Sequence, residues 1–191
     1  MPVVITCYEI PRDAKPPAGS APQRLLLRAA VVPPSPFGYL ELSEVADGDA
    51  AATTARELAE GATPARSGTY EVFHANDRAA APFAAEDGSP IMFINCLQCA
   101  NEDEDAAFSV WREINAYMVT KPGYRWHKLH RRAHPDAAFG FVNVVEWESA
   151  AAWEAAHDQG FRALAARPDL PFTPIPTLCF PVDDTVPSVA G

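Results

Sequence analysis

The chain has 191 residues with 15 Lys and Arg against 25 Asp and Glu, a formal charge of −10 at pH 7. That length holds one domain or two small fused ones, and 48% hydrophobic with 21% charged residues excludes bulk disorder. The acidic balance argues against nucleic acid or an anionic membrane as the main partner. No apolar run approaches the ~18 residues that span a bilayer. Residues 1–12 show no basic segment followed by an apolar core, so a cytoplasmic location is expected.

In chain order, VVITCY at 3–8 reads as a strand. Residues 13–23, DAKPPAGSAPQ, follow, and their prolines forbid a regular helix. Strand candidates at 33–45 and 68–73 flank an Ala-rich helical stretch at 49–60. Residues 77–90, rich in Ala, Pro and Asp, read as a linker. The run from 91, IMFINC, is the next strand. Residues 102–118 then carry Phe108, Trp111, Ile114 and Met118 at helical spacing. Asn101 and Glu104 have the spacing of a capping box, and Pro122-Gly123 ends the helix. Residues 124–132 read as a strand, 133–136 as a turn, 141–147 as a strand, 149–166 as a helix and 177–181 as a last strand, before a loose tail at 183–191. Cys7, Cys96, Cys99 and Cys179 are too sparse for a disulfide scaffold, and the isolated C-x-x-C of Cys96 and Cys99 reads as inert thiols.

Self-similarity organises these elements. At an offset of 102 residues, Pro33, Phe37, Gly38 and Glu44 meet Pro135, Phe139, Gly140 and Glu146, and at an offset of 89 Cys7 meets Cys96. Each copy runs strand, helix, strand, strand, helix, strand, the ferredoxin-like succession, but the first lacks its first helix. The expectation is an α+β chain of two fused ferredoxin-like (βαββαβ) repeats forming a dimeric α+β barrel within one chain. Residues 1–76 form the degenerate copy and 91–182 the complete one.

Side chains alternate across a strand. Phe141, Asn143, Val145 and Trp147 therefore share one face, and Ile91, Phe93, Asn95 and Leu97 share another. Each apolar strand carries one central Asn. A buried amide needs partners, so both are either structural amides satisfied by backbone or part of a site. His127, His130 and His134 resemble a metal run, but His127 and His130 point to opposite faces and His134 lies in the turn, so no metal site is expected. Either His127 or His130 suits a general base near pH 7; a solvated basic strand is the other reading. His74 and His157 are expected at the surface.

The stretch 117–153, YMVTKPGYRWHKLHRRAHPDAAFGFVNVVEWESAAAW, resembles the antibiotic biosynthesis monooxygenase family in its P-G-aromatic turn, basic strand, strand ending in E-W and acidic-Ala helix start. The resemblance covers residues 90–180 well and the first half more loosely. It implies a cofactor-independent oxygenase that turns a phenol or anthrone of a polycyclic aromatic polyketide into a quinone, with O2 as co-substrate and no metal. Asn143 and Trp147 match the family's Asn and Trp pair and Asn95 its first-strand Asn. With His130 or His127 as base, these are the expected catalytic residues. Phe93, Trp111, Phe141 and Trp153 are the expected substrate-binding walls. Glu41 and Val45 stand where Asn143 and Trp147 stand, so one site per chain is expected. A haem-degrading branch of the family has its helix Trp and His at positions from which Trp153 and His157 are shifted around the helix. The alternatives are a ring-opening oxygenase using FADH2 or FMNH2 from a separate flavin reductase, and a non-catalytic polyketide-binding or cyclase-assisting module. Pairing into a homodimer stays open.

Overall fold

In the computed structural model, residues 2–15, 24–30, 34–45, 53, 64–76 and 91–182 are described. The expected helix at 49–60 (Thr53 apart), the linker at 77–90 and the tail at 183–191 lie outside them. Period-two alternation builds eight strands: β1 (Val3–Tyr8), β2 (Arg24–Ala29), β3 (Tyr39–Glu44), β4 (Ala65–Asn76), β5 (Ile91–Gln98), β6 (Tyr124–Arg132), β7 (Phe141–Trp147) and β8 (Thr173–Pro181). All pair antiparallel and close into a barrel in the order β1-β3-β2-β8-β5-β7-β6-β4. Strands β1–β4 and β5–β8 each run in the spatial order fourth, first, third, second. The seams between these two sets are β2 on β8 and β4 on β6. The fold is α+β.

The alternation decides which residues face inward. Met92, Ile94 and Cys96 of β5 and Val142 and Val144 of β7 enter the barrel core with Ile5, Leu27 and Leu40. Residues that the sequence offsets of 89 and 102 bring into correspondence meet there. Cys7 Sγ lies 3.8 Å from Cys96 Sγ, and the Phe37 and Phe139 rings meet edge to face with centroids 6.1 Å apart. Gly38 and Gly140 are also alike. A Cβ on Gly38 would meet the Ile10 carbonyl oxygen at 2.0 Å, and one on Gly140 would meet Cys99 Sγ at 2.2 Å. Burial pushes the thiols of Cys7 and Cys179 up, which keeps them protonated and unreactive.

Three helices among the described residues cover the outer face of β5–β8: α1 (Glu104–Met118), α2 (Ala150–Ala156) and α3 (Gln159–Ala165). A single stripe of α1, Glu104, Ala107, Trp111, Asn115 and Met118, is buried. The expected capping box does not form. A 3-10 turn, Asn101–Asp103, leads into α1 without a side-chain cap. Glu104 instead reaches β6, pairing with Arg131 Nη2 at 2.5 Å and with Arg132 Nε. Burial raises the carboxyl's pKa, and the hydrogen bonds of the two arginines outweigh it and hold the group below its ordinary range. The single helix expected at 149–166 is two, broken at His157. Ser149 caps α2 by accepting from Ala152 N–H, and Asp158 caps α3 by accepting from Phe161 N–H at 3.0 Å. Tyr117 Oη and Lys121 Nζ, donating to Asp158 at 2.7 and 2.8 Å, fix the break against α1. The strands expected at 68–73 and 177–181 run longer, over 65–76 and 173–181.

Candidate active site

A cavity of about 280 Å³ lies between the outer face of β5 and β7 and the three helices, close to the lower end of the range for small-molecule sites. Its floor follows from register. Asn95 of β5 pairs with Asn143 of β7, and Phe93 with Val145, so both amides project to the same side. Across the other edge of β5, Asn95 faces Pro176, which has no N–H to offer. The result is a cluster of unmet polar atoms. Asn95 Oδ1, Asn143 Oδ1, Trp147 Nε1 and Trp153 Nε1 are buried without a hydrogen-bond partner, and all four residues line the cavity. Buried polar groups are normally paired, and here two acceptors and two indole donors are left unmet on residues that border one apolar cavity.

The walls are rings. Trp153 packs at 5.6 Å from Phe93 and 4.2 Å from His157, His157 at 4.4 Å from Phe161, and Tyr124 edge-on to Trp147 at 5.1 Å. His157 is not a free surface residue. Its Nδ1 donates to the Trp153 carbonyl at 2.6 Å, which fixes the tautomer and leaves Nε2 with its lone pair. Burial lowers its pKa and keeps the ring neutral at pH 7.

Of the expected residues, Asn95, Asn143, Trp147, Phe93, Trp111 and Trp153 all border the cavity. Phe141 does not. It lies one pleat along β7, packed with Trp111 and Leu129. His130 faces the barrel interior and borders a separate space of about 330 Å³ with Trp126 and Lys128. Its Nδ1 lies 3.2 Å from the Val142 carbonyl. His127 faces the helices and sits one hydrogen bond behind the cavity wall, with Nδ1 2.6 Å from Tyr124 Oη. Burial pushes both imidazoles down to about 4; for His127 the charge of nearby His74 adds to it, and for His130 that of Lys128. His74, expected at the surface, is half-buried and stacks on His127. The three-histidine run is dispersed over both faces of β6 and the following loop, and no group of three His, Cys, Asp or Glu among the described residues could hold a metal ion.

Asn115, Tyr124 and His157 are cavity residues that the sequence reading missed. A signal existed for Asn115: it stands four residues after Trp111, a polar interruption of the apolar stripe of α1. Tyr124 follows Gly123, whose φ of 79° makes the turn that opens β6. His157 depends on the helix break and carries no local signal.

Residues 90–165 match the model of the antibiotic biosynthesis monooxygenase family. Over these residues the chain is similar to the monooxygenases of that family. An anthrone oxidase-like protein superposes with a TM-score of 0.67 at 15% identity, over 95% of this chain and 91% of that one. A major regulator of staphylococcal pathogenesis gives 0.54 at 10%, over 95% and 99%. SnoaB, a cofactor-independent oxygenase from Streptomyces nogalater, matches at 24% identity over 52% of this chain and 99% of its own, with a TM-score of 0.42. At 15% and 10% identity, the likeness to the first two is one of fold alone. No curated protein matches significantly. No helix among the described residues is long and apolar enough to cross a membrane.

Proposed function

We propose that the protein is a monooxygenase that oxidises a phenol or anthrone of a flat polycyclic aromatic polyketide to a quinone, with O2 as co-substrate and no resident cofactor. The observation that carries this reading is the set of four unpartnered polar atoms, two amide oxygens and two indole N–H groups, on residues that line a cavity walled by aromatic rings. Hydroxyls of such a substrate would donate to Asn95 and Asn143. The indole N–H groups would donate to the oxygen that gathers charge when the ring is deprotonated, an oxyanion role. Rings of Phe93 and Trp153 would stack on the flat skeleton. The electron-rich enolate then gives one electron to O2, and the substrate radical and superoxide combine at carbon. The peroxide anion so formed takes up a proton, and the hydroperoxide loses water to leave C=O; one oxygen atom enters the quinone and the other leaves as water.

The same reading makes the first half a degenerate repeat that stands in for a second subunit, with 1–76 and 91–182 as the two copies. The identical strand order of the two sets, and the meeting of Cys7 with Cys96 and Phe37 with Phe139, support it. Where Asn143 carries an unmet oxygen, its counterpart Glu41 accepts from Tyr8 Oη at 3.0 Å and Ser43 Oγ at 2.9 Å. One site per chain follows.

The test is oxygen uptake with the anthrone dithranol by the unaltered chain and by Asn143→Ala and Trp147→Phe. Loss of uptake of about 100-fold in Trp147→Phe, which removes an oxyanion donor, and a loss in Asn143→Ala, which removes the acceptor of a substrate hydroxyl, both with ligand binding retained, are the expected results. Unchanged product yield in both variants would reduce the cavity to a binding module. Uptake only when reduced flavin is added would move the reading to the ring-opening alternative.

A further inference from the structure

A line of hydrogen-bonding side chains leaves the cavity through its β6 wall. Tyr124, which borders the cavity, has its Oη 2.6 Å from His127 Nδ1 and 3.4 Å from Asn115 Oδ1. On the far side, His127 Nε2 lies 3.0 Å from His74 Nδ1. The two imidazoles stack nearly parallel, 9° apart, and Trp111 packs edge-on against both. His74 belongs to β4, the strand that the first half places beside β6. It reaches this position through an irregularity in register between Val72 and His74. Such bulges re-aim side chains and recur beside active sites. Asn76, two residues on, holds the His127 backbone by accepting its N–H at 3.1 Å.

The chain of atoms can be polarised in either direction. Pointing outward, Tyr124 donates to His127 Nδ1, and the Nε2–H of His127 donates to His74 Nδ1. Pointing inward, His74 Nδ1–H donates to His127 Nε2, His127 Nδ1–H donates to Tyr124 Oη, and the tyrosine O–H turns to Asn115 or the cavity. One proton entering at Tyr124 and one leaving at His74 converts the first arrangement into the second. We propose that Tyr124, His127 and His74 form a proton path that carries the substrate's proton out of the cavity, so that the first half of the chain supplies a residue to the site of the second.

The inference rests on the proposed oxidation and names the acceptor that reaction needs. The substrate's acidic proton bonds to Tyr124 Oη as the tyrosine's own proton passes to His127 Nδ1 and the Nε2 proton passes to His74. The electron pair stays on the substrate as its enolate, ready for O2. Because Tyr124 gives up its own proton in the same step, its hydroxyl can take the substrate's proton without itself becoming charged. Buried His127 is held neutral at pH 7, so its ring can accept. Tyr124 is the catalytic residue of the three, and His127 and His74 position and relay behind it.

The experiment measures steady-state oxygen uptake with dithranol by the full chain and by Tyr124→Phe, His127→Gln and His74→Asn, each with and without added imidazole. Binding of 1,8-dihydroxyanthraquinone, which has no methylene proton to lose, is followed by tryptophan fluorescence in the same proteins. Tyr124→Phe keeps the ring against Trp147 and is expected to lower kcat about 100-fold, the usual share of general acid–base catalysis, with KM and anthraquinone affinity within about twofold. His74→Asn is expected to lose about tenfold and to recover with imidazole. Full kcat in Tyr124→Phe overturns the path while leaving the oxidation standing. Loss of anthraquinone binding in step with kcat, without rescue by imidazole, also overturns it, because the three groups would then only hold the wall. Absence of uptake by the unaltered chain overturns the oxidation itself and the path with it.

Discussion

A buried amide oxygen without a partner costs about 1–3 kcal/mol, and Asn95 and Asn143 carry one each on adjacent strands. A fold gains nothing from such atoms, so their presence makes sense as provision for a ligand. Asn143→Leu is accordingly expected to raise the thermal midpoint, by about 1 kcal/mol of stability, while abolishing oxygen uptake. Differential scanning calorimetry alongside uptake checks both halves of that expectation. A stabilised variant that keeps full activity would show that the amide is structural. Both asparagines were legible because each interrupts an apolar strand at its centre, and alternation puts it on the face of Trp147. Tyr124 and His157 were not, because their importance comes from neighbours remote in the chain: His127 and His74 for one, the carbonyl of Trp153 and the helix break for the other.

At the scale of elements, β5, β6, β7 and α1 follow from periodicity, which finds Trp111 and Met118 of the buried stripe but offers Phe108 and Ile114, both half-buried, in place of Glu104, Ala107 and Asn115. The break between α2 and α3 does not, since Asp158 draws its hydrogen bonds from Tyr117 and Lys121 at the end of α1. The start of α1 shows the same competition. Glu104 has the spacing of a cap but is taken by Arg131 and Arg132 of β6, and so ties helix to barrel. Arg132 is almost wholly enclosed, its side chain 8% exposed. Glu104→Ala would leave that guanidinium unpaired and is expected to cost about 3 kcal/mol, measured by urea unfolding. Where β7 is approached, Gly140 has no room for a side chain because a Cβ would lie 2.2 Å from Cys99 Sγ. Gly140→Ala is expected to destabilise by about 2 kcal/mol through overpacking, and unaltered stability would mean that the β6–β7 loop yields freely.

Over the whole molecule, the barrel is closed by two seams, β2 on β8 and β4 on β6. The second seam places His74 behind the cavity, which ties the first half to the site as well as to the core. The barrel also fixes the response to pH. His127 and His130 are buried and titrate near 4, below the ordinary value of 6.5. Between those values the unfolded chain binds protons that the folded chain does not, so stability rises with pH there. It is fully present above about 6.5 and is lost as pH falls toward 4, where the two imidazoles must charge inside the protein. Unfolding midpoints across that window check the sign, and a flat profile would contradict the burial of both rings. The most direct measurement of the central claim is oxygen uptake by purified protein, free of metal and flavin, with dithranol against buffer alone. The account predicts protein-dependent uptake of one O2 per quinone formed. No uptake above buffer unless reduced flavin is added, or none at all, would contradict it.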